Sequence, residues 1–135
     1  MLNQTTPISP GLSVGIRAAA ALTVILVGVG LYVLGAQPVA VRLFSAPWDK
    51  LAHMATFALV GAATGLASGK LGWRAAVCCV AGAIVMGAVD EWHQASLPGR
   101  QSDWLDLGAD AAGGLLGAVL LHLGNTMARK KIRSH

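Results

Sequence analysis

A chain of 135 residues has room for one domain, and 55% hydrophobic against 12% charged residues is too apolar for a soluble domain of that length. The formal charge of +4 does not point to nucleic acid, because the bases are scattered or terminal and no nucleic-acid-binding motif accompanies them. Four spans of roughly 20 apolar residues would take about 80 positions, which leaves short loops and excludes a separate soluble domain.

Residues 1–13 are polar, contain Pro7 and Pro10 and lack periodicity, so a disordered cytoplasmic tail is expected as far as residue 16. Residues 18–34 carry no charge and follow Arg17, which predicts the first span. A cleavable signal peptide is the rival, with small residues after Leu34 to accept cleavage, but the apolar core exceeds the usual 7–15 residues. Residues 37–48, with Pro38, Arg42 and Pro47, read as an outer connection lying partly along the interface. The second span is expected over residues 51–69, with Asp49, Lys50 and His53 at its first turn and Gly61, Gly65 and Gly69 at four-residue spacing. Small residues so spaced let a second backbone approach closely.

A basic loop at 70–74 precedes an apolar run of fifteen residues, 75–89. Fifteen residues rise only about 22 Å against a hydrocarbon core of about 30 Å. The helix must therefore continue to Gln94 or Ala95, which draws Asp90, Glu91 and Gln94 into its outer end. The fourth run, 111–124, is short in the same way and must begin near Asp103 or Trp104. Asp106 and Asp110 then lie inside the helix, with Ser102 or Asp103 as its N-cap after a turn at residues 96–99. The adjacent Cys78 and Cys79 have no CxxC spacing and read as small core residues.

The bases orient the bundle. Arg17, Lys70, Arg74, Arg129, Lys130, Lys131 and Arg133 fall on one side without a carboxylate among them, while all six carboxylates fall on the other with Arg42, Lys50 and Arg100. The positive-inside rule then expects both termini in the cytoplasm and the acidic end outside. Trp48, Trp73, Trp92 and Trp104 land at span ends, as an aromatic belt requires. The fold expected is an all-α integral membrane bundle of four transmembrane helices, residues 17–125, followed by a basic cytoplasmic tail over 126–135.

Three polar stripes meet at one depth: Asp49 with His53, Glu91 with Gln94, and Asp103 with Asp106 and Asp110. Such groups turn away from lipid and find partners. Lys50 and Arg100 are the cations at hand, and Arg100 can grip a carboxylate through two parallel hydrogen bonds. Three roles stay open for the cluster: binding a divalent cation, acid or base catalysis by Glu91 or His53, and an ion-paired plug that locks the helices together. No spacing matches a zinc or EF-hand signature, so no metal or cofactor is assigned. His93 is expected to face the interface in solvent, His122 lies at the cytoplasmic end, and His135 is terminal.

DKLAH at 49–53, E-x-x-Q at Glu91 and Gln94, and PGR-x-x-D-x-x-D at 98–106, followed by a small-residue helix, together resemble the VanZ-like family of bacterial membrane proteins. The resemblance covers roughly residues 48–117. It implies a small multi-spanning envelope protein of the bacterial cytoplasmic membrane, linked through the family's namesake to resistance against teicoplanin, a glycopeptide. Such antibiotics bind cell-wall precursors on the outer face of that membrane. The matching positions are Asp49, Lys50, His53, Glu91, Gln94, Arg100, Asp103 and Asp106; at Asp110 the family usually has Asn. On this footing Asp49, Lys50, Gln94, Arg100, Asp103 and Asp106 are expected to bind a lipid-linked anionic headgroup, Lys50 and Arg100 through its phosphate. Glu91 and His53 are the candidates for catalysis. The partners expected are membrane lipids, a lipid-linked precursor, and a second copy or another membrane protein, with no nucleic acid.

Overall fold

The computed structural model describes residues 13–37 and 47–134, the side chains of 132 and 133 excepted. Among them are four α-helices and no strand: α1 (Val14–Gly35), α2 (Trp48–Ser68), α3 (Trp73–Ala95) and α4 (Trp104–Arg133). Each is long and apolar enough to cross a membrane. The expected tail over residues 1–12, the connection containing Arg42 and the terminal His135 lie outside the described residues.

The helix ends follow the sequence chemistry. Ser13 caps α1 by accepting from the Ile16 amide, and Asp103 caps α4 by accepting from the Leu105 amide at 2.8 Å. Gly69, with φ 65°, closes α2 in the left-handed conformation that glycine tolerates best, and its amide bonds the Leu66 carbonyl. α3 reaches Ala95 and α4 starts at Trp104, as the bilayer arithmetic requires. α4 departs from expectation at its other end, where the helix continues through Arg133 instead of breaking near Gly124. Neither Pro nor Gly stands between Asn125 and Arg133, and Met, Ala, Arg and Lys there are good helix formers. The basic residues also complement the negative end of the helix dipole.

α2, α3 and α4 form a tight wedge in which the α2–α4 seam is the most extensive contact. Its closeness depends on missing side chains. A Cβ at Gly113 would come within 2.5 Å of the Met54 carbonyl oxygen, and one at Gly117 would meet the Ala58 carbonyl and lie 2.8 Å from the Ala62 amide. Gly61 on α2 faces Gly114 in the same manner. Apolar helices in lipid gain little from hydrophobicity, so this backbone proximity is a main source of their packing. Phe57, Val60, Cys79 and Ala83 are fully buried within the wedge.

α1 is different. It rests on α2, touches α3 lightly, and among the described residues does not reach α4. Only Ala20 on it is buried. Arg17 joins its start to the end of α2 by donating to the Ala67 carbonyl at 3.2 Å.

Candidate functional site

The end of the wedge opposite the basic loop gathers every carboxylate of the chain. The first turns of α2 bring Asp49, Lys50 and His53, and the last turns of α3 bring Asp90, Glu91 and Gln94. The turn after α3 brings Arg100, while the cap and first turns of α4 bring Asp103, Asp106 and Asp110.

One half of this cluster is an ion lock. The Lys50 ammonium donates to Asp106 Oδ1 at 2.5 Å and Asp103 Oδ2 at 2.6 Å, and Asp49 Oδ2 lies 3.1 Å away. These carboxylates match the three N–H donors of an ammonium. Lys50 therefore ties the start of α2 to the start of α4. Its charge, aided by the Leu105 amide, holds the Asp103 carboxyl below its ordinary range. Glu91 joins α3 to the same corner, its Oε2 accepting from the Asp103 amide at 2.7 Å.

The other half lines a cavity of about 570 Å³ between α1, α2, α3 and the turn after α3. Asp49, His53, Asp90, Gln94, Arg100 and Asp106 supply its polar lining, while Val27, Leu31 and Leu34 of α1 and Phe57 of α2 supply an apolar wall. His53 Nδ1 lies 2.9 Å from Oδ1 of Asp110, a fully buried carboxylate. A Cβ at Gly87 would strike that carboxylate, so the glycine makes its room. With Asp110 ionised, His53 donates through Nδ1, and Nε2 faces Asp106 Oδ2 at 4.0 Å.

The sequence-derived candidates converge, but several pairings differ from expectation. Arg100 grips no carboxylate: its Nη1 donates to the Gly35 carbonyl at 3.0 Å, capping α1, and it forms no ion pair among the described residues. The turn carries the guanidinium toward α1, away from the carboxylates that Lys50 holds. Glu91 and Gln94 do not act on one face. Gln94 turns to the cavity and donates to Asp90 Oδ2 at 2.7 Å, while Glu91 turns to the cap of α4. His93 is half-buried rather than fully solvated: its ring stacks on Tyr32 with centroids 4.0 Å apart, and its Nδ1 is buried. α1 covers that side of α3, which explains the difference. His122 is exposed beside residues of the opposite end, as expected.

Asp90 and Asp110 were expected at the polar end but were assigned no role in binding or catalysis. The signal was present in spacing alone, since Asp90 stands four residues before Gln94 and Asp110 four after Asp106.

A family model described as VanZ/LLP1 matches residues 14–125, a span that contains the whole polar cluster. No curated protein and no solved structure matches the chain.

Proposed function

The chain belongs to the VanZ/LLP1 family, and we propose that it is a cell-envelope protein whose cavity holds a lipid-linked anionic headgroup, such as a cell-wall precursor, at the outer face of the bacterial cytoplasmic membrane. The observation that carries this reading is the two-sided lining of the cavity. Polar groups on α2, α3 and the turn after α3 face an apolar wall on α1, which matches an amphiphile with a polar head and a hydrocarbon chain. Arg100 gives one of its five N–H donors to Gly35 and has others for a phosphate. The phosphate role falls to Arg100, because Lys50 is engaged by three carboxylates. Those that line the cavity suit hydroxyl and amino groups of the same headgroup.

The seven bases at the opposite end support an outward orientation of the acidic end. The cavity would then lie on the side where glycopeptides meet their targets. A protein that holds the precursor there gives a link to teicoplanin resistance a physical route. Lipid mass spectrometry on gently purified wild type and Arg100→Ala tests the reading. One envelope lipid enriched in wild type and lost from the folded variant is expected. Equal, unselective lipid in both would reject it.

A second reading, an enzyme that modifies such a lipid, draws on the His53–Asp110 pair. A buried carboxylate that orients an imidazole leaves Nε2 to take up or deliver a proton. His53 suits that role better than Glu91, which does not line the cavity. Turnover of a bound lipid that disappears in folded His53→Gln would separate catalysis from binding.

A further inference from the structure

We propose that His53, Glu91 and Asp106 together hold one divalent transition-metal ion, Mn²⁺ or Zn²⁺, with Asp110 as the positioning residue behind the histidine. The three side chains come from α2, α3 and α4, and one ligand atom from each lies within 4.8 Å of the others. Tetrahedral bonds of about 2.1 Å place the ligands of one ion about 3.4 Å apart. Side-chain adjustments of about 1 Å therefore close the site around an ion.

Proximity of acidic groups alone would not carry this, but the partnering of each ligand does. Every member of the trio has one polar atom anchored and one left over. His53 anchors Nδ1 on Asp110 and leaves Nε2. Asp106 anchors Oδ1 on Lys50 and leaves Oδ2, which faces Nε2. Glu91 anchors Oε2 on the Asp103 amide, and its Oε1 is buried with no hydrogen-bond partner, in a residue only 7% exposed. A carboxylate oxygen without a partner at this depth is costly, and a cation supplies the partner. The His53–Asp110 contact repeats the arrangement in which a carboxylate fixes the tautomer and orientation of a metal-bound imidazole.

One nitrogen and two carboxylate oxygens suit Mn²⁺ or Zn²⁺ better than Mg²⁺, which favours oxygen and water. Two ionised carboxylates also neutralise a divalent ion. The site rests on the residues alone. Its use, offsetting the cavity's carboxylates so that an anionic headgroup can approach, rests on the reading given above. A bound ion takes the Nε2 lone pair, so it and free-imidazole catalysis by His53 exclude each other.

The test uses the full chain without a polyhistidine tag, stripped with chelator and titrated with Mn²⁺ or Zn²⁺ alone in detergent. One ion per chain is expected, with nitrogen coupling from one imidazole in the electron paramagnetic resonance of bound Mn²⁺. His53→Ala and Glu91→Gln should abolish binding, and Asp110→Asn should weaken it about 10–100-fold with the fold intact. Absence of a saturable site in folded wild type, or bound Mn²⁺ without nitrogen coupling, overturns the proposal. So does a folded His53→Ala protein that binds like wild type, while wild-type affinity in Asp110→Asn removes the positioning role. The wild-type readouts need no variant to fold and no lipid, so they stand apart from the headgroup reading.

Discussion

On the α4 side of α2, glycines bring backbone against backbone; on its α1 side, a cavity of about 570 Å³ opens between the helices at the polar end. The same helix thus carries a seam that cannot yield and another with space to spare. The polar groups are fixed by the first, through Lys50 and the close approach of Gly113 and Gly117 to α2, and open toward the second. On the reading proposed above, the side chains that would hold the headgroup stand on the rigid part, and the element that would face it is the loosely held one.

The largest expected effect sets the two seams directly against each other. Gly117→Leu drives a side chain into the Ala58 carbonyl and the Ala62 amide, and only separation of α2 from α4 relieves it. Overpacking of this kind costs about 3 kcal/mol or more, and loss of the folded bundle is the expected outcome. Gly30→Leu on α1 has nothing within 4 Å of the new Cβ, and Gly30 lines the cavity. Its stability should stay within about 0.5 kcal/mol of wild type while lipid retention falls. Unfolding in detergent, paired with lipid mass spectrometry, reads both effects. Equal destabilisation by the two substitutions would mean that α1 is packed as tightly as the wedge.

Next in size is the lock. Lys50→Met leaves Asp49, Asp103 and Asp106 facing one another without their cation. Removing one partner of a fully buried pair costs about 3–5 kcal/mol, and with the Lys50 side chain 26% exposed the loss should be about 2 kcal/mol. Arg100→Ala removes a single hydrogen bond to the end of α1, so it should leave the unfolding midpoint nearly unchanged and act on lipid retention. A reversal, with Arg100 the larger for stability, would exchange the roles assigned to the two cations.

These roles show where sequence reasoning reached and where it stopped. The bilayer fixes the length of a span, so the short runs ending at Val89 and beginning at Ala111 had to be extended, which placed Glu91, Gln94 and Asp106 inside helices. The preference of Ser and Asp for helix N-termini narrowed the cap of α4 to Ser102 or Asp103. Depth along each helix was therefore legible. Rotation about the helix axis was not: Asp90 and Glu91 are neighbours in sequence and point about 100° apart, so which of them meets Gln94 depends on packing. Arg100 follows a turn that brings it to the end of α1, and no spacing within 96–103 encodes that. Asp110 fits its stripe, yet its value depends on the space left by Gly87 on another helix. Complementarity of that kind is absent from any single segment.

The smallest effect sharpens the division between lock and cavity by pH. Asp103 lies just outside α4, and the Lys50 ammonium lowers its pKa from the ordinary 3.8. A carboxyl with a depressed folded-state pKa stabilises the fold above its unfolded value, and that contribution is lost as pH falls through the folded value. Wild type should therefore lose a small part of its stability on acidification below about pH 4. Asp103→Asn retains a good helix cap but not the charge, so it should start less stable near neutral pH and lose less in acid. Unfolding midpoints followed from pH 6 to pH 3 in both proteins check this. An unchanged acid response in the variant would assign the acid sensitivity to other carboxylates. A reduced response accompanied by unaltered lipid retention at neutral pH would assign Asp103 to holding α2 against α4, outside the groups that meet the ligand.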